Sequence, residues 1–331
     1  MSKTKIKDAD YLYLTAMLKA REPKMLNAQR LERVLEAPGF DEAAKLLCDC
    51  GFEDMSGMNA SQVEETLKKR QEAIFSELTA LVPEPELLQL FRLKYDYHNA
   101  KVMIKSQAAG IEAEYLLSNA GNIPAARLAE GCSSEEHDTL PELLARAVTE
   151  SAAVLSRTEN PQLADFIMDR AYFENMLLLA QAISNPFMQQ YVSVLADSAN
   201  LRAAVRTARM GRDMEFLRRA LVPGGNRKPE EIAQAVLYGD GAAELFAGTV
   251  LWQAAVTAAQ QGSLTEFELE CDNAVTAFFA QAGTVSFGAP AVAAYLAAVE
   301  GEMMAVRILL TGKLAGVQPE KLRERLRDTY A

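Results

Sequence analysis

Between Pro85 and Gly110 the chain reads E-L-L-Q-L-F-R-L-K-Y-D-Y-H-N-A-K-V-M-I-K-S-Q-A-A. Leu87, Leu88, Phe91, Tyr95, His98 and Val102 recur at the three- and four-residue intervals of one helix face. Proline suits a first helical turn, where its missing N–H has no intrahelical partner. Glycine suits the position just past a helix end, where the backbone turns left-handed. The pattern predicts one helix of about 24 residues, roughly 36 Å long at 1.5 Å per residue. Pro186–Gly211 and Pro290–Gly316 predict two more of the same kind. A second helix is predicted ahead of each, over Glu64–Leu81, Asp165–Ile183 and Phe267–Ala282. The loops between are short, so each pair reads as an antiparallel helical hairpin. Tyr11–Arg21 and Arg30–Cys48 also read as helical. Ala, Leu, Glu, Gln, Met and Arg dominate throughout and alternating β-branched runs are almost absent, so the fold class is all-α.

The three long helices carry one polar pattern, about a hundred residues apart: L-K-Y-D-Y-H-N-A-K-V-M-I-K from Leu93, V-L-A-D-S-A-N-L-R-A-A-V-R from Val194, and V-E-G-E-M-M-A-V-R-I-L-L-T from Val299. With the acid at position zero (Asp96, Asp197, Glu302), position +3 is Asn99, Asn200 and Ala305. Position +5 is basic in all three copies: Lys101, Arg202 and Arg307. Position +9 is Lys105, Arg206 and Thr311. A proline lies at −11 or −12 and a glycine at +14. A turn and a further helix follow each copy, through G-N-I-P before Ala125, G-N-R-K-P before Glu230 and G-V-Q-P before Glu320. Self-similarity on this scale describes an architecture before it describes a site. It predicts three helical lobes, 1–114, 115–217 and 218–331, each of ordinary domain size. Ser118–Leu143 and Val222–Glu230 read as the connections, and the N-terminal helices as completing the first lobe.

On a helix, positions 0 and +3 share one face and positions +5 and +9 another. Such a helix shows polar groups to two environments, as expected at a junction between lobes or beside a central opening. A buried Asp–Asn pair is expected to satisfy loop N–H groups or a neighbouring arginine. A direct role at a partner surface is the other reading of Asp96, Asn99, Asp197 and Asn200. Lys101, Arg202 and Arg307 are expected to line an inner or inter-lobe polar surface.

The formal net charge of −11 argues against nucleic acid as the main partner, since phosphate binding needs a basic face. No stretch approaches the ~20 apolar residues of a membrane span. The opening M-S-K-T-K-I-K-D-A-D has no apolar core, so no signal peptide and a cytoplasmic location are expected. The four cysteines lack zinc spacing and read as reduced thiols, with Cys132 in a polar loop. His98 reads as a partly buried helix position and His137 as a loop residue. Asp165 and Asp169, one turn apart, read either as surface charge or as the Mg²⁺-diphosphate acids of an all-helical transferase. Neither a G-x-x-x-x-G-K-[ST] loop nor a G-x-S-x-G elbow occurs. The run Lys321, Arg323, Arg325, Arg327 alternates with acids and reads as a solvated face or protein contact. No catalytic residue, cofactor site or metal site is predicted, which leaves a helical scaffold or adaptor as the plain alternative.

The phrases L-K-Y-D-Y-H-N-A-K-V-M-I-K and L-A-D-S-A-N-L-R-A-A-V-R resemble the family of C subunits of V-type and A-type ATPases, whose eukaryotic relative is the d subunit. So do the segment D-F-I-M-D-R-A-Y-F at Asp165–Phe173, the phrase M-A-V-R-I-L-L-T-G-K-L-A-G and the ending R-E-R-L-R-D-T-Y. The resemblance covers nearly the whole chain. It implies three similar lobes around a pseudo-threefold axis, like a funnel, seated between the membrane rotor ring and the central stalk of a rotary ATPase. It implies central-stalk and rotor-ring subunits as partners, peripheral attachment on the cytoplasmic side, and torque transmission without chemistry. Ala305 and Thr311 depart from the pattern, so the third junction is expected to be held differently.

Overall fold

The computed structural model describes residues 6–134, 137–239, 241–282, 285 and 287–329. Residues 1–5, Glu135 and Glu136 of the acidic loop, and Tyr330 of the closing phrase lie outside them. Among the described residues the chain is helical and contains no strand. It forms two compact units, one from the chain up to Pro83 and again from Gly248 onward, the other from Glu84 to Ala247.

The first unit opens with α1 (Leu12–Arg21), α2 (Ala28–Glu36), α3 (Phe40–Cys48) and α4 (Ala60–Thr79). The Arg30–Cys48 stretch breaks at Pro38–Gly39, where Gly39 is extended and leads into α3. Asn59 starts α4 with a reciprocal cap: its side chain accepts from Gln62 N at 3.0 Å, and Gln62 Oε1 accepts from Asn59 N at 2.9 Å.

The second unit contains α5 (Pro85–Ala109), α6 (Ala125–Ser133), α7 (Glu142–Thr158), α8 (Pro161–Ala182), α9 (Pro186–Arg209), α10 (Met214–Ala220), α11 (Pro229–Leu237) and α12 (Ala242–Leu245). Helix α8 is its centre and packs on α5, α7, α9 and α10. The Phe91 ring stacks on Tyr191 at 5.5 Å, tying α5 to α9. The Tyr97 hydroxyl donates to Ala171 O at 3.1 Å, tying α5 to α8. The short helices α6 and α11 lie against α5 and α9 respectively. Cys132 is in the last turn of α6 and buried, not in a polar loop, because that helix extends its apolar face to the end.

The chain returns to the first unit with α13 (Trp252–Ala259), α14 (Leu264–Ala282), α15 (Ala289–Leu314) and α16 (Pro319–Arg323). Helix α15 is the core of this unit: 17 of its 26 residues are buried, on every side. It packs against α4, α14, α1 and α3. Gly312 lets α16 approach, since a Cβ there would overlap the Leu322 side chain. The expected hairpins α8–α9 and α14–α15 both form, while α4 belongs to the first unit and α5 opens the second.

All three long helices end alike. Gly110, Gly211 and Gly316 adopt φ of 66°, 64° and 68°. The residue after each donates its N–H five positions back: Ile111 to Ser106 O at 3.0 Å, Arg212 to Thr207 O at 3.1 Å and Val317 to Gly312 O at 2.9 Å. This left-handed closure satisfies terminal carbonyls and is the physical reason for a glycine at +14.

Candidate functional site

Asp96 and Asn99 face the loop that leads into α6. Asp96 Oδ2 accepts from Asn122 N at 3.1 Å and Oδ1 from Ile123 N at 3.0 Å. Asn99 Nδ2 donates to Ser118 O at 2.8 Å, and its Oδ1 accepts from Ser118 N at 2.9 Å. Arg92, one turn before Asp96, donates to Ala120 O at 3.1 Å and to Gly121 O. Backbone groups all along Ser118–Ile123 are thereby tied to one face of α5.

The second copy repeats the arrangement in the loop before α11. Asp197 accepts from Asn226 N and Arg227 N, each at 3.1 Å. Asn200 donates to Val222 O at 2.9 Å and accepts from Val222 N at 2.8 Å. The four side chains are 0–4% exposed. Burial raises the Asp96 and Asp197 carboxyls above the usual aspartate range, against the pull of the two backbone N–H bonds on each. The loops approach so closely because they carry Gly121 and Gly225, where a Cβ would overlap the aspartate Oδ1.

In the third copy the acid does the same work on a different stretch of chain. Glu302 Oε1 accepts from Leu26 N at 2.8 Å, just before α2. In all three copies, then, the acid holds the backbone at the entry to a short helix. Burial raises the Glu302 carboxyl, opposed by the Leu26 N–H and by Arg70 and Arg30. Arg70 lies 3.8 Å from Glu302 Oε2, rests on the Phe52 ring at 4.0 Å and donates to Gly51 O. Position +3 is Ala305, which forms no such clamp. The α2 segment is held instead by Arg30, donating to Met25 O at 2.6 Å, and by Lys313, donating to Leu35 O at 2.8 Å and Ala37 O at 2.6 Å.

The basic residues point to other helices. Lys101 pairs with Asp169 and Lys105 with Asp165 at 2.8 Å, both from α5 to α8. Arg307 makes a two-pronged pair with Glu64 of α4, at 2.6 and 2.9 Å. Arg202 and Arg206 occupy the matching positions on α9, the first half-buried and the second exposed. Glu64 and Asp165 are the acids that sequence reasoning passed over as partners. The signal was present: each lies 32 positions before its own copy's acid. His98 is exposed, its ring nitrogen 3.4 Å from Leu116 O, and His137 Nδ1 lies 2.9 Å from Gly131 O.

Chemically, a carboxylate whose oxygens already accept backbone N–H groups fixes a loop; it is poorly placed to ligate a metal or attack a substrate. Among the described residues no group of three or more His, Cys, Asp or Glu side chains is arranged to hold a metal ion. No helix there is long and apolar enough to cross a membrane.

The family described as ATP synthase (C/AC39) subunit matches residues 14–325. The C subunit of the V-type sodium ATPase of Enterococcus hirae is 22% identical, over 97% of this chain and 99% of its own length. The C subunit of the A-type ATP synthase of Methanocaldococcus jannaschii is 21% identical, over 96% and 86%. The C subunit of the V-type ATP synthase of Thermus thermophilus is 22% identical, over 60% of this chain and 63% of its own.

Proposed function

As this chain belongs to the ATP synthase (C/AC39) subunit family, we propose that it is a non-catalytic rotor subunit of a V/A-type rotary ATPase or ATP synthase. In this reading it couples the central stalk to the proteolipid ring of the membrane while protons or sodium ions cross the ring. Three lobes, each built on one of the long helices, stand in a pseudo-threefold funnel. The stalk end seats in the funnel mouth and the ring meets the opposite face. The protein sits on the cytoplasmic side and holds to the membrane through the complex alone.

The observation that carries the reading is the thrice-used acid clamp on helices of 24 to 26 residues. A coupling that transmits torque must not deform, and close-packed interiors resist compression. Buried acids that pin loops to long helices add fixed joints to that body. The relatives named for a sodium ATPase and for ATP synthases keep either ion, and either direction of the reaction, within the proposal.

The test is isolation of the tagged full chain from detergent-solubilised native membranes. Stalk and ring subunits should co-purify with it. Stripping the chain from the membranes should abolish ATP-driven ion pumping while ATP hydrolysis by the released head persists. Recovery of the chain without either set of partners would overturn the reading.

A further inference from the structure

In the second unit, α7 and α10 flank α8 and leave a groove of about 560 Å³ over it. Its floor is apolar, from Leu163, Phe166 and Ile167 of α8, with Ala147 and Val154 beside them on α7. Its margins are basic. Arg146 and Arg157 stand on α7, Arg170 on α8, and Arg218 and Arg219 on α10. Three glutamates also line it, so arginines exceed acids by two, in a chain whose net charge is −11.

Two of the arginines are already engaged with acids: Arg146 with Glu174 at 3.3 Å and Arg219 with Glu215 at 3.0 Å. Arg170 donates to the carbonyls of Arg218 and Leu221 at 3.2 and 3.4 Å. Arg157 and Arg218 are exposed, and their side chains make no ion pair or hydrogen bond among the described residues. They are the cations left over for a ligand.

The placement of the free cations beside an apolar floor selects the ligand's shape. The free pair, Arg157 and Arg218, stands on α7 and α10, the two helices that flank the apolar floor. A phosphate or a single carboxylate needs cations that converge on a point, usually through paired guanidinium contacts. Here the two free cations stand at the margins of a floor of Leu163, Phe166 and Ile167 that a small anion would leave uncovered. That is the form of a helix-in-groove site, in which an apolar stripe is buried and flanking charges set orientation. We propose that this groove docks an acidic amphipathic helix of a partner protein, its apolar face on Phe166 and Ile167 and its carboxylates on Arg157 and Arg218. The proposal stands apart from the rotor reading and survives or fails without it.

The test is fluorescence anisotropy on the purified full chain with a labelled synthetic peptide of about 14 residues. The peptide carries Leu at the first and fourth heptad positions and Glu on the flanks, and a scrambled peptide of the same composition is the control. The amphipathic peptide should bind at least about tenfold more tightly than the scramble, and more weakly as salt rises. Arg157→Glu with Arg218→Glu should lose at least about tenfold in affinity with an unchanged melting temperature. If charge reversal unfolds the chain, Arg157→Gln with Arg218→Gln serves in its place. Equal binding of the two peptides, undiminished binding to the double variant, or displacement of the peptide by micromolar pyrophosphate overturns the proposal, the last in favour of a small-anion site.

Discussion

Asp96 and Gly121 meet so closely that a Cβ at position 121 would overlap the carboxylate oxygen, and Asp197 and Gly225 repeat the relation. Both loops are held by backbone N–H groups donated to that carboxylate, so they cannot move away without breaking two bonds each. Gly121→Ala and Gly225→Ala should therefore each cost about 1–3 kcal/mol, the usual penalty of overpacking a fixed site. Gly301→Ala is the control, because a Cβ there meets open space on a helix and alanine is the better helix former by about 1 kcal/mol. Urea unfolding midpoints decide it: unchanged midpoints for the first two variants would contradict the clamp.

Asn99 and Asn200 each satisfy both an N–H and a C=O of one buried loop residue. Alanine at either position leaves two buried backbone groups without partners. Each substitution should cost about 3 kcal/mol. Aspartate should be no better, since it keeps the acceptor but turns a charge toward a carbonyl. Stability of the aspartate variants equal to that of the parent chain would show that these loops find other partners.

The buried acids also set a pH dependence. Burial raises Asp96, Asp197 and Glu302 from ordinary values of 3.8, 3.8 and 4.5. The native state then holds these protons more tightly than the unfolded chain. Their contribution to stability is full below the ordinary values and is lost as pH rises through the raised native ones. Asp197→Asn removes one such titration and turns an amide N–H₂ toward a backbone N–H. Its deficit relative to the parent should be largest at the acid end of that window and narrow as pH rises. Unfolding curves across the window that run parallel for variant and parent would contradict this.

Much of this construction was legible before the structure. The period, the long helices and their proline and glycine ends follow from residue types at fixed offsets, whereas for the acid and asparagine the offsets alone left loop N–H groups, a neighbouring arginine and a partner surface all open. What was not legible depends on which distant segment arrives. Leu26, the partner of Glu302, is 276 positions away, and no local pattern names it. Asp165 and Asp169 were legible only as surface charge or a metal pair, since an i,i+4 acid pair looks the same whatever helix lies opposite. Comparing position −32 across copies would have exposed Glu64 and Asp165 together as repeated acids, although they meet cations at different positions of the pattern, Arg307 at +5 and Lys105 at +9.

The pair formed by Arg307 and Glu64 links α15 to α4 across 243 positions with two hydrogen bonds. Both side chains are about a third exposed, so the pair itself is worth only about 0.5–1 kcal/mol. Arg307→Glu sets two acids against each other and should cost more than that, and adding Glu64→Arg should recover most of the loss. Under the proposed function, Lys101→Glu with Arg307→Glu should reduce recovery of stalk subunits from membranes. The Arg307–Glu64 swap should restore the share due to Arg307. Double-mutant unfolding gives the first result and the stoichiometry of the recovered complex the second. A swap that restores neither would mean that the charges act elsewhere.

The third copy lacks the asparagine, and its substitute can be tested separately. Glu302 holds the start of α2 and Lys313 holds its end, with the ammonium donating to Leu35 O and Ala37 O. A cation at a helix C-terminus satisfies carbonyls that the helix itself leaves open and opposes their partial negative charge. Lys313→Met keeps most of the aliphatic stem and removes only those donors, so it should cost about 1–2 kcal/mol. The loss should be local. Amide hydrogen exchange should speed up in α2, while α9, whose clamp is Asp197 with Asn200, keeps its protection. Lys313→Arg, which can still donate to both carbonyls, should sit between the two. Faster exchange spread evenly over both helices would mean that Lys313 supports the fold as a whole, and that the third junction is closed by something other than this lysine.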